Sequence, residues 1–207
     1  TYRRVGWLGI LAALAVMMQL LLLRSTRRWP LFWRRLLPLV VLLAGAMLLA
    51  VAAVKLEPIR TRITSLLAGR GDSSNNFRIN VWLAAIEMVQ DRPWLGIGPG
   101  NNAFNSIYPL YQQPKFNALS AYSVPLELLV EMGIPGLLAC CGLLISSVRA
   151  GLRFDGDSGL IAIGSLAAMS GLLTQGITDT IFFRPEVQLV GWFCLASLAS
   201  RPEGQQC

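Results

Sequence analysis

Histidine is absent from all 207 residues. That removes the side chain most used as a general base near neutral pH, and the commonest metal ligand. Charge is sparse as well. Only 14% of the residues are Asp, Glu, Lys or Arg, where a soluble domain carries about a quarter. The four cysteines form no C-x-x-C pair: Cys140 and Cys141 are adjacent in one apolar run, Cys194 lies in another, and Cys207 is terminal. Neither a zinc site nor a redox pair has the spacing it needs. No metal and no cofactor is expected.

What the chain has instead is apolar length. Val5 to Leu23 and Leu36 to Val54 contain no charged residue. A helix crosses a bilayer core with roughly 20 apolar residues, and a core helix of a soluble protein is rarely apolar on every side. Neither run reads as a signal peptide, since each is too long and no small-residue cleavage site follows. Three further apolar segments follow, at Val124–Val148, Gly159–Phe183 and Val187–Ser200. The fold class expected is an all-α integral membrane protein with about five transmembrane helices. A long outer loop carries an interfacial amphipathic helix. Residues 1–54 hold two spans joined by a basic cytoplasmic loop. Residues 55–123 form the long extracytoplasmic loop, and residues 124–207 hold three spans and a short tail.

The net charge of +7 reflects the membrane and not nucleic acid. Five arginines sit in "RSTRRWPLFWRR" between the first two runs, with Trp29, Phe32 and Trp33 at the headgroup level. Arg149, Arg153 and Arg201 fall on the same side, which the positive-inside rule makes cytoplasmic. Arg3 and Arg4 fall on the other side, against that rule.

Within the long loop, "SSNNFRINVWLAAIEMVQDRP" reads as a capped helix that Pro93 ends. Phe77, Val81, Trp82, Ile86 and Val89 form its apolar stripe, with Arg78 one turn before Trp82. Such a helix would lie in the headgroup layer. "GIGPGNN" then turns, and Tyr108 and Tyr111 look like membrane-belt residues. The turn is no dinucleotide motif, because a helix and not a strand precedes it.

Ionisable side chains gather at the outer ends of the last spans. Glu127 and Glu131 are four residues apart, on one face of a helix. Asp179 and Gln175 lie near the end of another span, and Arg184 and Glu186 follow it. A carboxylate inside a span is a functional candidate, because burying it unpaired is costly. The structural alternative is a set of ion pairs, Glu127 with Arg184 and Glu131 with Arg78. The functional reading is an outer-face anion pocket. Arg78 and Arg184 bind the anion, and Tyr122, Ser123, Glu127, Glu131 and Asp179 line the pocket. No broken-helix pair, inverted repeat or ion relay of the kind transporters use is visible.

"FRINVWLAAIEMVQDRPWLGIGPGNNAF" followed by "ALSAYSVPLELLVEMGIPG" resembles the O-antigen ligase and polymerase superfamily. The shared pattern is an arginine, a tryptophan, D-x-P, a glycine-rich turn, and a polar motif entering a span that reads E-x-G-x-x-G. "DRPWLGIGPGN", "YPLYQQ" and "SAYSVPLE" are closer still to the inorganic-carbon (bicarbonate) transporter branch of cyanobacteria. The resemblance implies a bacterial inner-membrane protein whose N-terminal half is missing from this chain. It also implies that Arg78 matches the arginine holding the pyrophosphate of a lipid-linked glycan. The histidine base of the ligases is replaced by Tyr122. A tyrosine with an ordinary pKa near 10 is a poor base at pH 7, which leaves Tyr122 and Glu127 as catalytic candidates.

Three functions follow. The first is uptake or accumulation of bicarbonate through the anion pocket. The second is a glycosyltransferase of O-antigen ligase or polymerase type, moving a glycan from a polyprenyl diphosphate carrier. The third is a membrane scaffold whose charges only pair with each other. Membrane lipids and one anionic ligand, bicarbonate or the lipid-linked glycan, are the expected partners.

Overall fold

The computed structural model describes residues 3–26, 29–30, 32–33, 36–41, 43–45, 47, 73–153 and 156–200. The labelled helices are α1 (Arg3–Ser25), α2 (Ser73–Asp91), α3 (Asn101–Ile107), α4 (Val124–Gly151), α5 (Gly156–Gly176) and α6 (Pro185–Ala199). Short 3-10 turns occupy Tyr108–Leu110 and Ile181–Phe183. The described residues between 36 and 47 are helical too, and none of the described residues is in a strand. The remainder of the expected second span lies outside the described residues, as do residues 55–72 of the expected loop and the tail after residue 200.

Three helices are long and apolar enough to cross a bilayer: α1 over Gly6–Ser25, α4, and α5 over Gly159–Gly176. The chain is an all-α integral membrane protein. The fourth expected segment is shorter than its sequence suggests. Its helix ends at Gly176, which lies 3.1 Å, measured from an added Cβ, from Val124 of α4. Thr178 and Asp179 then form a turn, and Asp179 Oδ1 accepts the Thr180 N–H at 2.9 Å.

The helices meet on small residues. A Cβ placed on Gly9 of α1 would stand 2.8 Å from the Gly171 carbonyl of α5, and the converse holds at the same distance. In lipid there is little hydrophobic drive between helices, so close backbone approach of this kind carries the packing. α4, α5 and α6 share a second contact, where Leu144 and Phe182 pack on buried Met169, Cys194 and Leu195.

The feature that shapes the molecule is a break in α4. Gly133 has φ 66° and ψ −167°, a backbone region essentially reserved for glycine. Pro135 follows in the first turn of the second half, where a missing N–H costs nothing. The break frees polar groups that a continuous helix would satisfy internally, and the segment after α2 satisfies them. The Ile97 and Gly98 N–H groups donate to the Val130 and Glu131 carbonyls at 2.8 and 3.1 Å, and the Ile134 N–H donates to the Pro93 carbonyl at 2.8 Å. The approach is so close that a Cβ on Gly133 would lie 2.6 Å from the Trp94 carbonyl carbon, and one on Gly96 2.6 Å from the Glu131 carbonyl carbon. The E-x-G-x-x-G motif and the glycine-rich turn are thus two sides of one joint.

The break also redirects the chain. An unbroken helix would carry Val124 about 30 Å beyond Leu144, whereas Gly176 lies only about 10 Å beyond Met169 on α5. Val124 nevertheless meets Gly176. The first half of α4 therefore bends away from the line of the second and joins the segment that precedes it. There it completes a core of Val81, Ala84, Ala85, Met88, Phe104, Tyr108, Ala118, Ala121 and Val130. Full burial of each large apolar side chain contributes about 1.5–3 kcal/mol, so this is a folded unit and not a loop draped on lipid.

That core revises two expectations. The face of α2 that is buried carries Phe77, Val81, Ala84, Ala85 and Met88, while Ile86 is exposed. The stripe is rotated from the expected one because α2 is apolar on two sides, with Leu83 and Ile86 on the free one. Tyr108 is a core residue and not a belt residue. It is fully buried, stacks on Phe104 at 5.1 Å between ring centroids, and donates its hydroxyl hydrogen to the Phe116 carbonyl at 2.7 Å. Burial raises its pKa, and Tyr122 raises it further. Tyr111 donates to Asp91 Oδ2 at 2.6 Å, tying the turn to the end of α2.

Candidate functional site

Three pieces of chain converge at the start of α4. The first is the opening of α2, where Phe77 packs edge-on against the Tyr122 ring with 5.6 Å between centroids. Arg78 is the next residue, half-buried, and among the described residues it has no hydrogen bond or ion pair. The second is the bend Ser120–Ser123. Ser123 has extended backbone angles and caps α4, and its carbonyl accepts the Glu127 N–H at 2.9 Å. The third is the turn after α5, pinned to the second by a 3.0 Å hydrogen bond between the Ser120 and Thr180 hydroxyls.

Glu127 holds this meeting point from within. Its side chain is buried, and its Oε2 accepts the Ala121 N–H at 2.5 Å. The carboxylate reaches back over the start of its own helix and closes the Ala121–Ser123 bend. Tyr122, inside that bend, has φ 49°. A left-handed backbone is costly for a bulky residue and persists here because Glu127 and Phe77 brace both sides of it. Glu131, one turn on, is also buried. Its Oε1 has no hydrogen-bond partner among the described residues.

The sequence-based residues therefore divide. Tyr122 meets Phe77, and Arg78 is the next residue along α2. Ser123, Glu127, Glu131 and Asp179 are all buried. Arg184 is exposed at the start of α6. The expected pair of Glu131 with Arg78 does not form. Glu127 is held by a backbone N–H, which sequence cannot show. The Ala121 N–H is the Glu127 partner that sequence reasoning misses.

Arg78 and Tyr122 are both half-buried, and Glu127 and Glu131 are buried. A guanidinium presents a planar fork of donors suited to phosphate oxygens, and the phenol adds a further donor.

Comparison with curated proteins finds no match. A family match does exist, over residues 1–141, and its description is O-antigen ligase. It covers more than half of the chain and includes α1, α2, the glycine-rich turn, Tyr122 and the E-x-G-x-x-G break. It carries the superfamily expected from the motifs and does not reach the inorganic-carbon branch. On this match the chain belongs to the O-antigen ligase family.

Proposed function

We propose that this protein transfers a glycan from a polyprenyl diphosphate carrier to an acceptor hydroxyl at the outer face of a bacterial inner membrane. The observation that carries this reading over bicarbonate accumulation is the family match across residues 1–141, and Phe77, the residue before Arg78, packs on Tyr122. Arg78 binds the diphosphate, and Tyr122 donates a hydrogen bond to it. As the bond from the anomeric carbon to the diphosphate breaks, negative charge grows on the leaving oxygen, where the guanidinium compensates it. The acceptor oxygen bonds to the anomeric carbon and its proton passes to the departing diphosphate. The leaving group thus takes the role of the absent histidine.

Glu127 serves as a positioning residue in this scheme, since it is buried and holds the bend that carries Tyr122. Tyr122→Phe removes only the hydroxyl. Transfer should weaken by the value of one hydrogen bond to a charged group, about 1.5–3 kcal/mol, with the pH profile unchanged. A general base behaves differently, costing a factor of about 10²–10⁴ and one limb of the profile. Loss of a pH limb in Tyr122→Phe would make tyrosine the base and refute the leaving-group scheme.

The outer placement has its own test. In a cysteine-free background, a cysteine replacing exposed Gln113 should react with a membrane-impermeant maleimide added to intact cells. One replacing exposed Ser25 should react only after permeabilisation. The opposite pattern would turn the site to the cytoplasm.

A further inference from the structure

The turn that plugs the break in α4 carries two of the most exposed large apolar side chains of the described residues, Trp94 at 69% and Leu95 at 84%. In water both would be unfavourable. Their depth along α4 resolves this. Pro93, immediately before Trp94, accepts the Ile134 N–H at 2.8 Å, so the turn sits level with Ile134. The second half of α4 runs unbroken from Ile134 to the basic end at Arg149 and Gly151. Helical rise makes that about 22 Å to Arg149 and about 26 Å to Gly151. The hydrocarbon layer is about 30 Å thick. With the basic end at one boundary, Ile134 lies inside the opposite leaflet, and any tilt takes it deeper.

We infer that Pro93–Leu95 is a re-entrant turn, dipping into the hydrocarbon of the leaflet opposite Arg149, with Trp94 and Leu95 in contact with bilayer lipid. Irregular backbone survives at that depth only where its polar groups are satisfied by protein. The segment meets that condition at four groups: the Pro93 carbonyl accepts the Ile134 N–H, the Gly96 N–H donates to the Arg92 carbonyl at 3.1 Å, and the Ile97 and Gly98 N–H groups donate to α4. The apolar surface is also continuous with the span, because Ile134 and Leu138 of α4 are exposed as well, Leu138 at 64%. The arrangement accounts for the glycine at position 96. Its missing side chain lets the turn lie directly against the Val130 and Glu131 carbonyls of α4.

The test does not depend on the glycosyl-transfer reading. Nitroxide spin labels are attached to cysteines replacing Leu95, Leu138 and Gln113, one at a time, in the native protein made cysteine-free and reconstituted in phospholipid vesicles. Leu95 is exposed enough that its replacement leaves the joint intact, and a Trp94→Cys label provides a second position. Collision rates are measured with oxygen, which partitions into lipid, and with a water-soluble nickel chelate. The Leu95 and Trp94 labels should collide more with oxygen than with nickel, as the Leu138 label does, while the Gln113 label shows the reverse. A Leu95 label as open to nickel as that at Gln113 would put the turn in water. A label shielded from both reagents would mean that protein covers it. Either result overturns the inference.

Discussion

Arg78→Gln is expected to lower glycan transfer about 10²- to 10⁴-fold while the protein still inserts and folds. The size follows from losing two charge-assisted hydrogen bonds to the diphosphate, each contributing about 1.5–3 kcal/mol. Folding should survive because Arg78 is half-buried at the edge of α2 and not part of the core beneath it. Arg78→Lys should recover only part of the activity, since an ammonium keeps the charge and loses the planar fork. The check is a transfer assay in reconstituted membranes, with a polyprenyl diphosphate glycan as donor and size-exclusion profiles to confirm folding. If Arg78→Gln transfers at the wild-type rate, the guanidinium only snorkels along the headgroups, and the anion site is elsewhere.

Gly133→Ala is expected to remove most of the folded protein. Alanine at φ 66° and ψ −167° is strained by about 1–3 kcal/mol. Its methyl group would also meet the Trp94 carbonyl carbon at 2.6 Å and the Pro93 carbonyl oxygen at 2.7 Å. These are backbone atoms that cannot swing aside. Relief requires the turn to leave α4, which exposes the Val130, Glu131 and Ile134 backbone groups together. The combined loss of well over about 3 kcal/mol is a large part of a typical stability of about 5–15 kcal/mol. Gly142→Ala is the control, because nothing lies within 4 Å of a Cβ there and alanine suits a helix better than glycine. The two variants should differ sharply in the yield of monodisperse protein after extraction. Equal yields would mean that the joint between the turn and α4 does not hold the fold.

How much of this can be read from the chain depends on the kind of signal. Span α1 is legible as a charge-free apolar run from Val5 to Leu23, and α4 as one that is charge-free from Met132 to Val148. The unit around α2 is half legible. Its helix is clear from Ser73 to Pro93, but with apolar residues on two sides its periodicity admits two rotations, and only packing on Phe104 and Tyr108 selects one. Tyr108 reads as interfacial because aromatic residues near a membrane usually are; its hydroxyl instead finds the Phe116 carbonyl inside the core. The break at Gly133 is written in the sequence as Glu-x-Gly-x-Pro, yet hydropathy runs straight through it. With the break unseen, Glu127 and Glu131 look like charges inside a span. They belong to the folded unit on the other side of the break, and Glu127 has a backbone donor that no side-chain pattern reveals.

The central claim is that the Arg78–Tyr122 edge holds a polyprenyl diphosphate. The most direct measurement is mass spectrometry of lipids retained by the native protein, purified in mild detergent beside Arg78→Gln. The account predicts a polyprenyl diphosphate, with or without its glycan, bound to the wild type and depleted in the variant. Wild type that retains only bulk phospholipid, in the same amount as Arg78→Gln, would contradict it.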